Sequence, residues 1–148
     1  MNIQTVKVYI CTALGVAGSL ISQLFGGWTE DMITLMIFMT VDFVMGLIVA
    51  GVFHKSRKSE TGALNSRAGW KGLCKKGVAL LFVLVAHRLD RLLGTDYIRT
   101  TAIIGFIINE SISIVENAGL MGVPFPEVIT KAIDMLKSKK EKENRENN

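Results

Sequence analysis

The sequence YIRTTAIIGFIINESISIVENAGLMGVPFP, residues 97–126, decides the fold because it joins a strongly apolar half to a polar half at helical spacing. The first half carries five isoleucines together with Ala102 and Phe106, as in helices that enter a bilayer. The polar residues of the second half are Asn109, Glu110, Ser113, Glu116 and Asn117. All of these except Glu110 are three or four residues apart and lie near one stripe of a helix. Pro124 then ends the helix.

This polar stripe must face protein or water, because lipid cannot satisfy polar side chains. Two interpretations stay open. The stripe either joins helices within an ordinary bundle through polar contacts, or it lines a lesion or pore.

The composition indicates a membrane protein of one domain. The chain has 148 residues, 49% of them hydrophobic, and the apolar residues come in long blocks. Its formal charge of +4 lies mostly in loops, at block ends and in the tail, which favours anionic lipid over nucleic acid as the partner. Cys11 and Cys74 are far apart, have no metal spacing and are expected to be small packing residues.

The fold class predicted from these blocks is all-α, a multi-pass membrane protein with about four transmembrane helices. The expected spans are residues 8–25, 32–53, 70–93 and 97–118. They form a transmembrane domain over residues 1–123, followed at 124–148 by a short amphipathic helix and a charged tail predicted to be disordered. The apolar positions of that short helix are Val128, Ile129, Ala132, Ile133 and Leu136.

The third block is the weakest span, since only Gly77 to Ala86 is free of charge. To cross the membrane it needs its lysines, arginines and histidine to extend toward the two surfaces. Whether it spans fully stays open at this point.

The first block carries small residues at four-residue spacing, which let helices approach closely. One row contains Cys11, Gly15 and Ser19, and the next contains Gly18, Ser22 and Gly26. Such rows suit either association between copies of the chain or packing within one chain.

Asp42 is the one charge near the centre of the second block. A charged residue there costs about 2.5–3.5 kcal/mol on insertion scales, so it must face the bundle, be paired or be protonated. Gly46 and Ala50 follow on the same helix face. Asp42 is either an intersubunit or pore contact or an internal hydrogen-bonded strut, and Lys75 or Lys76 could pair with it.

Basic residues cluster between the second and third blocks, where they set topology and contact lipid headgroups. Those assigned this role are Lys55, Arg57, Lys58, Lys71, Lys75 and Lys76. With four spans, the N-terminus, the 54–76 loop and the tail carry one, seven and six basic residues, fourteen in all, against three on the opposite face. This asymmetry predicts that both termini are cytoplasmic.

Several motifs together resemble the phage-lysis and toxin-secretion holins of Gram-positive bacteria and their prophages. The similarity covers about residues 20–137, and its most specific part is Asn109-Glu110, Ser113-Ile114, Glu116-Asn117 and then Gly122-Val123-Pro124 with Pro126. Further matches are Gly26-Gly27-Trp28, Asp42-Phe43, Gly69-Trp70-Lys71-Gly72-Leu73 and Asp90. The long loop from Lys55 to Arg67 departs from the family pattern.

The resemblance implies a protein of the cytoplasmic membrane that assembles with itself into lesions. These lesions release a murein hydrolase, or in some systems a toxin, without catalysing a reaction and without a cofactor. The residues agree, because no phosphate-binding loop, metal spacing or nucleophile–base pair is present. The alternatives are a small ion channel or transporter that uses Asp42 and Glu110, or an antiholin or membrane anchor that regulates a partner.

Overall fold

Four α-helices make up the part of the chain that the computed structural model describes, residues 2–56, 61–124, 126–128, 131 and 135. The helices are α1 (Ile3–Leu24), α2 (Glu30–Gly51), α3 (Ser66–Leu93) and α4 (Ile98–Leu120). The prediction of an all-α fold with four long helices is confirmed.

Three of these helices, α1, α2 and α4, are long and apolar enough to cross a membrane. Each has 22 or 23 residues, so each is about 33 Å long. The fourth, α3, has 28 residues but carries charges along much of its length. Its length suffices for a span, and its charges must either be paired within the protein or extend toward a membrane surface.

Helices α2, α3 and α4 form a bundle in which α4 packs against both of its neighbours. Contacts between paired residues show that α2 and α4 run in the same direction and that α3 runs opposite to both. The buried positions recur every three, four or seven residues, as expected for helices that each present one face inward. The positions that follow this spacing are Met32, Leu35, Met39 and Asp42 on α2, Ala79, Val83, Ala86 and Asp90 on α3, and Arg99, Ile103, Glu110 and Asn117 on α4. Val49 and Ala50 on α2 and Ala118 on α4 are also buried.

The apolar core fills only one half of this bundle. Its centre contains Leu35, Val83 and Ile103, all with no exposed surface, packed with Met32, Met39 and Ala79. These residues come from the first half of α2, the second half of α3 and the first half of α4. We call this end, which carries the α1–α2 and α3–α4 turns, the closed half, and the opposite end the open half.

The α1–α2 turn packs on α3 through a glycine. Gly26 has φ +80°, and a Cβ added there would lie 2.6 Å from the His87 ring. Both the backbone conformation and the close approach therefore require glycine at this position.

Two polar side chains hold the turns of the closed half together. The Asp90 carboxylate accepts hydrogen bonds from the backbone N–H groups of Ile98 and Arg99, at 3.0 and 2.8 Å, and so caps the start of α4. The Arg99 guanidinium donates to the Gly27 carbonyl and the Thr29 hydroxyl, at 3.2 and 2.9 Å. The chain reversals before α2 and before α4 are thus joined directly.

Helix α1 is different from the other three, because it buries none of its residues. The small-residue rows therefore do not pack within the same chain at Gly15 and Gly18, whereas Gly26, the last member of the second row, packs against His87. Gly15 and Gly18 have open space where a Cβ would lie, since no described residue outside α1 comes within 4 Å of that position.

Some predicted features lie outside the described residues. They are Arg57 and Lys58 of the basic loop, Ile129, Ala132, Ile133 and Leu136 of the short amphipathic helix, and the charged tail from Lys137 onward.

Candidate functional site

A lysine lies between two carboxylates where α2, α3 and α4 meet. Lys76 on α3 donates to Asp42 Oδ2 on α2 at 2.8 Å and also to the Glu110 carboxylate on α4. The side-chain amide of Asn117, two turns after Glu110 on the same face of α4, donates to Asp42 Oδ1 at 2.9 Å. We call Asp42, Lys76, Glu110 and Asn117 the ion cluster.

The ion cluster is buried and lies near mid-depth of the bundle. Asp42, Glu110 and Asn117 are each exposed by 7% or less. Asp42 and Glu110 both lie about 18 Å along their helices, roughly half of the helix length. Charges at this depth are tolerated when each has a partner and its hydrogen bonds are satisfied. The cluster therefore joins α3 to the midpoints of α2 and α4.

The pairing of Asp42 confirms the expectation that its carboxylate faces the bundle and that an α3 lysine is its partner. Within the chain it acts as an internal strut, held by Lys76 and Asn117.

For Lys76 the structure corrects the expectation of a side chain that reaches the membrane surface. Its side chain is only 14% exposed, because two carboxylates draw the ammonium group inward.

The inward face of α4 also differs from the predicted stripe. Glu110 and Asn117, seven residues apart, point into the bundle together, whereas Asn109 and Glu116 are exposed. Ser113 is half-buried between them. The helix is rotated relative to the expectation because Glu110 pairs with Lys76, a contact that the spacing within α4 does not encode.

A cleft of about 400 Å³ opens beside the ion cluster in the open half, between α2, the start of α3 and the end of α4. Small residues such as Gly46 and Ala50 form part of its wall, next to the exposed Trp70. A Cβ added on Gly46 would lie 3.9 Å from the Asn117 amide nitrogen, an ordinary van der Waals contact, so α2 and α4 lie close together at this level.

A second cleft, of about 450 Å³, lies on the other side of α3, between α3 and α4. Its walls carry Lys71 and Lys75 from α3 and Asn109 and Ser113 from α4. Both lysines are exposed. We call this space the α3–α4 cleft.

The remaining predicted positions are not brought into the ion cluster. On α1, Gly15, Gly18 and Ser19 are exposed and Ser22 is half-buried. Lys55 is exposed just after α2.

Asp90 and Arg99 are the polar residues whose positions the sequence reasoning missed. Asp90 caps α4 from eight residues before its first residue, across a turn that contains Gly94 in the left-handed conformation. Helix caps are normally sought immediately before the helix, so the local rule does not find it. The signal was available only as a lone acidic residue close to the end of the third block.

Comparisons with known proteins converge on one family. The model of the bacteriophage holin family matches residues 19–138. An uncharacterized protein of Clostridium perfringens (strain 13 / Type A) is 40% identical over 136 residues, covering 89% of this chain and 95% of the relative. A probable holin of Bacillus phage phi105 is 30% identical over 105 residues, covering 70% of this chain and 72% of the phage protein. No solved structure matches.

Proposed function

Since the chain belongs to the bacteriophage holin family, which is non-enzymatic, we propose that it opens the cytoplasmic membrane to a murein hydrolase or a protein toxin. The family match carries this proposal, because it covers α2, α3 and α4 with both turns of the closed half. The chain is a multi-pass membrane protein, and membership of the family implies that it acts as an oligomer in the membrane.

Helix α1 is the element best suited to contact neighbouring copies. It buries no residue against its own bundle, and its small-residue rows leave open space at Gly15 and Gly18. In lipid, helices associate through close van der Waals contact, which such rows permit. Association through α1 would leave the three-helix bundle of each copy intact.

When several copies assemble into a lesion, the exposed polar residues of α4 would line the opening. Asn109 and Glu116 project from the bundle and Ser113 is half-exposed between them. A lipid environment cannot satisfy the exposed Asn109 amide, whereas water in a lesion can. Asp42 and Glu110 have a different role, because Lys76 engages both carboxylates inside each chain. That engagement argues against an ion channel in which these two carboxylates are free to coordinate passing cations.

In the proposed orientation both termini are cytoplasmic, which keeps the basic α2–α3 connection on the inner face. The imbalance of fourteen basic residues against three supports this orientation.

Expression in a bacterium together with a murein hydrolase that lacks its own export signal tests the proposal. We expect growth arrest, release of a folded cytoplasmic reporter enzyme and lysis, and no lysis when the hydrolase is expressed alone. Ion leakage without release of the reporter enzyme would identify a channel. A chain that is harmless alone and only shifts the timing of another lysis protein would identify an antiholin.

Variants of α1 test the association step within the same assay. Gly15→Leu combined with Gly18→Leu should delay or abolish release, because the added side chains hold helices apart. The matched control is Ala13→Leu with Ala17→Leu, which adds bulk on the opposite face of α1 and should change the timing little.

A further inference from the structure

The α3–α4 cleft combines charge and shape in a way that the ion cluster does not explain. Lys71 and Lys75 are one helical turn apart on the same face of α3 and line its wall. Both are exposed, although α3 places them between the start of the helix and the mid-depth Lys76. Lysines at this depth need an anionic partner or a route to the surface.

The charges that line the cleft leave an excess of one positive charge. Asp42, Glu110 and Lys76 together carry −1 when ionised, and Lys71 and Lys75 add +2. Lys76 is already occupied by the two carboxylates, so the two free ammonium groups are those of Lys71 and Lys75. One monoanionic phosphodiester would neutralise the cleft.

The opposite wall of the cleft supplies neutral polar groups and an apolar floor. Asn109 and Ser113 on α4 offer an amide and a hydroxyl to the oxygens of a headgroup. Ala79 and Phe106 line the same cleft, and Ala79 lies about 12 Å along α3 from Lys71. A ligand with a charged head and an apolar chain fits this order of residues better than a free ion does.

We propose that the α3–α4 cleft binds the phosphodiester headgroup of an anionic phospholipid, with Lys71 and Lys75 as the phosphate-binding residues. Basic pockets between membrane helices recognise such headgroups. The acyl chain of the lipid lies toward Ala79 and Phe106, while Asn109 and Ser113 hydrogen-bond the headgroup. Every group of the site comes from one chain. Asn109 and Ser113 would therefore face the lipid in a single copy and water once several copies line a lesion.

Lipid retention measured by native mass spectrometry on the purified full-length chain tests this inference. The chain is offered phosphatidylglycerol and the zwitterionic phosphatidylethanolamine in equal amounts, and the ratio of bound species is recorded. We expect phosphatidylglycerol to be preferred. Lys71→Gln combined with Lys75→Gln should reduce the preference by roughly ten- to thirtyfold.

A matched control separates the cleft from general surface attraction. Lys55→Gln with Arg67→Gln removes the same charge from two exposed positions that line neither cleft, one on the α2–α3 connection and one in the first turn of α3. It should retain the preference. Equal losses in the two double variants, or no preference in the unaltered chain, would overturn the proposal.

A third variant keeps both lysines and adds a negative charge to the opposite wall. Asn109→Asp should also lower the preference for phosphatidylglycerol, and an unchanged ratio would contradict the proposed site. Competition by inorganic phosphate at millimolar concentration, as effective as added phosphatidylglycerol, would show that the site takes a soluble anion and not a lipid. These readouts do not depend on lysis, so a failed lysis assay leaves them interpretable.

Discussion

The closed and open halves of the bundle are built on opposite principles. In the closed half, three side chains without exposed surface interlock and two turns are joined by Asp90 and Arg99. In the open half the helices separate around two clefts, whose walls combine large apolar side chains such as Phe43 and Trp70 with small and polar residues. The ion cluster lies at the boundary. The comparison shows that apolar packing fixes one end of the bundle, while charge pairing sets where the helices begin to part.

Replacing Lys76 is expected to lower the stability of the bundle more than any other change proposed here. Lys76→Met leaves two buried carboxylates without a cation, and breaking a buried pair costs about 3–5 kcal/mol. Unfolding of the purified protein in detergent should therefore occur at markedly lower denaturant concentration. Lys75→Met, next to it but exposed, is the control and should change stability little.

A triple variant shows whether the stability lost in Lys76→Met comes from buried carboxylates that have no cation. Lys76→Met combined with Asp42→Asn and Glu110→Gln should recover part of the lost stability, because no ionised group then remains in the cluster. A Lys76→Met protein as stable as its control would mean that the cluster does not hold the three helices together.

Removing bulk from the two halves sharpens the comparison. Ile103→Ala leaves a cavity in the closed half, where Ile103 has no exposed surface, and should cost about 2 kcal/mol, at the lower end of the usual range. In lipid, the transfer part of that cost is smaller. Leu47→Ala in the open half should cost much less, because Leu47 already faces a cleft. Similar losses of unfolding free energy would show that the open half is packed as tightly as the closed half.

The Gly26–His87 contact can be separated from backbone strain. Gly26 and Gly27 both have positive φ, at +80° and +96°, but only Gly26 has a neighbour where a Cβ would lie. Gly27→Ala should show the strain alone, about 1–2 kcal/mol. Gly26→Ala should lose more stability than Gly27→Ala, because its Cβ also meets the His87 ring. Adding His87→Ala to the Gly26→Ala chain should remove that extra loss. Equal thermal stability of the two glycine variants would mean that the turn does not depend on this contact.

The smallest effect on stability is expected in α1. Gly15→Leu with Gly18→Leu should leave the unfolding of the bundle unchanged, since α1 buries no residue. The same variant should reduce the oligomers trapped by chemical crosslinking in the membrane. Unaltered crosslinked oligomers would show that association uses another surface.

The sequence alone predicted the helices and the constraint on Asp42, but not the rotation of α4. A lone charge in an apolar block needs a partner, and the sequence predicts Lys75 or Lys76 as the partner of Asp42. Which face of α4 turns inward depends on that lysine, which lies on another helix. Spacing within α4 grouped Asn109 with Asn117, although Glu110 is the residue that shares the inward face with Asn117.

The position of α1 was equally undetermined, for a different physical reason. A row of small residues permits close approach without specifying which helix approaches, so packing within the chain and between copies leave the same pattern. Asp90 and Arg99 show a third limit. Asp90 caps a helix that begins eight residues later, and the Arg99 side chain contacts a turn about 70 residues away in the chain, and local capping rules cover neither contact.

The topology of α3 tests the central claim most directly, because the ion cluster requires α3 to lie at the same depth as α2 and α4. With Cys11 and Cys74 replaced by serine, single cysteines at Lys55 and Asp96, both exposed and on either side of α3, are treated with a membrane-impermeant maleimide on intact cells. We expect the reagent to label the Asp96 position from outside and the Lys55 position only after the membrane is opened. Labelling of both positions from the same side would mean that α3 does not cross the membrane, and would contradict a bundle joined at mid-depth by Lys76.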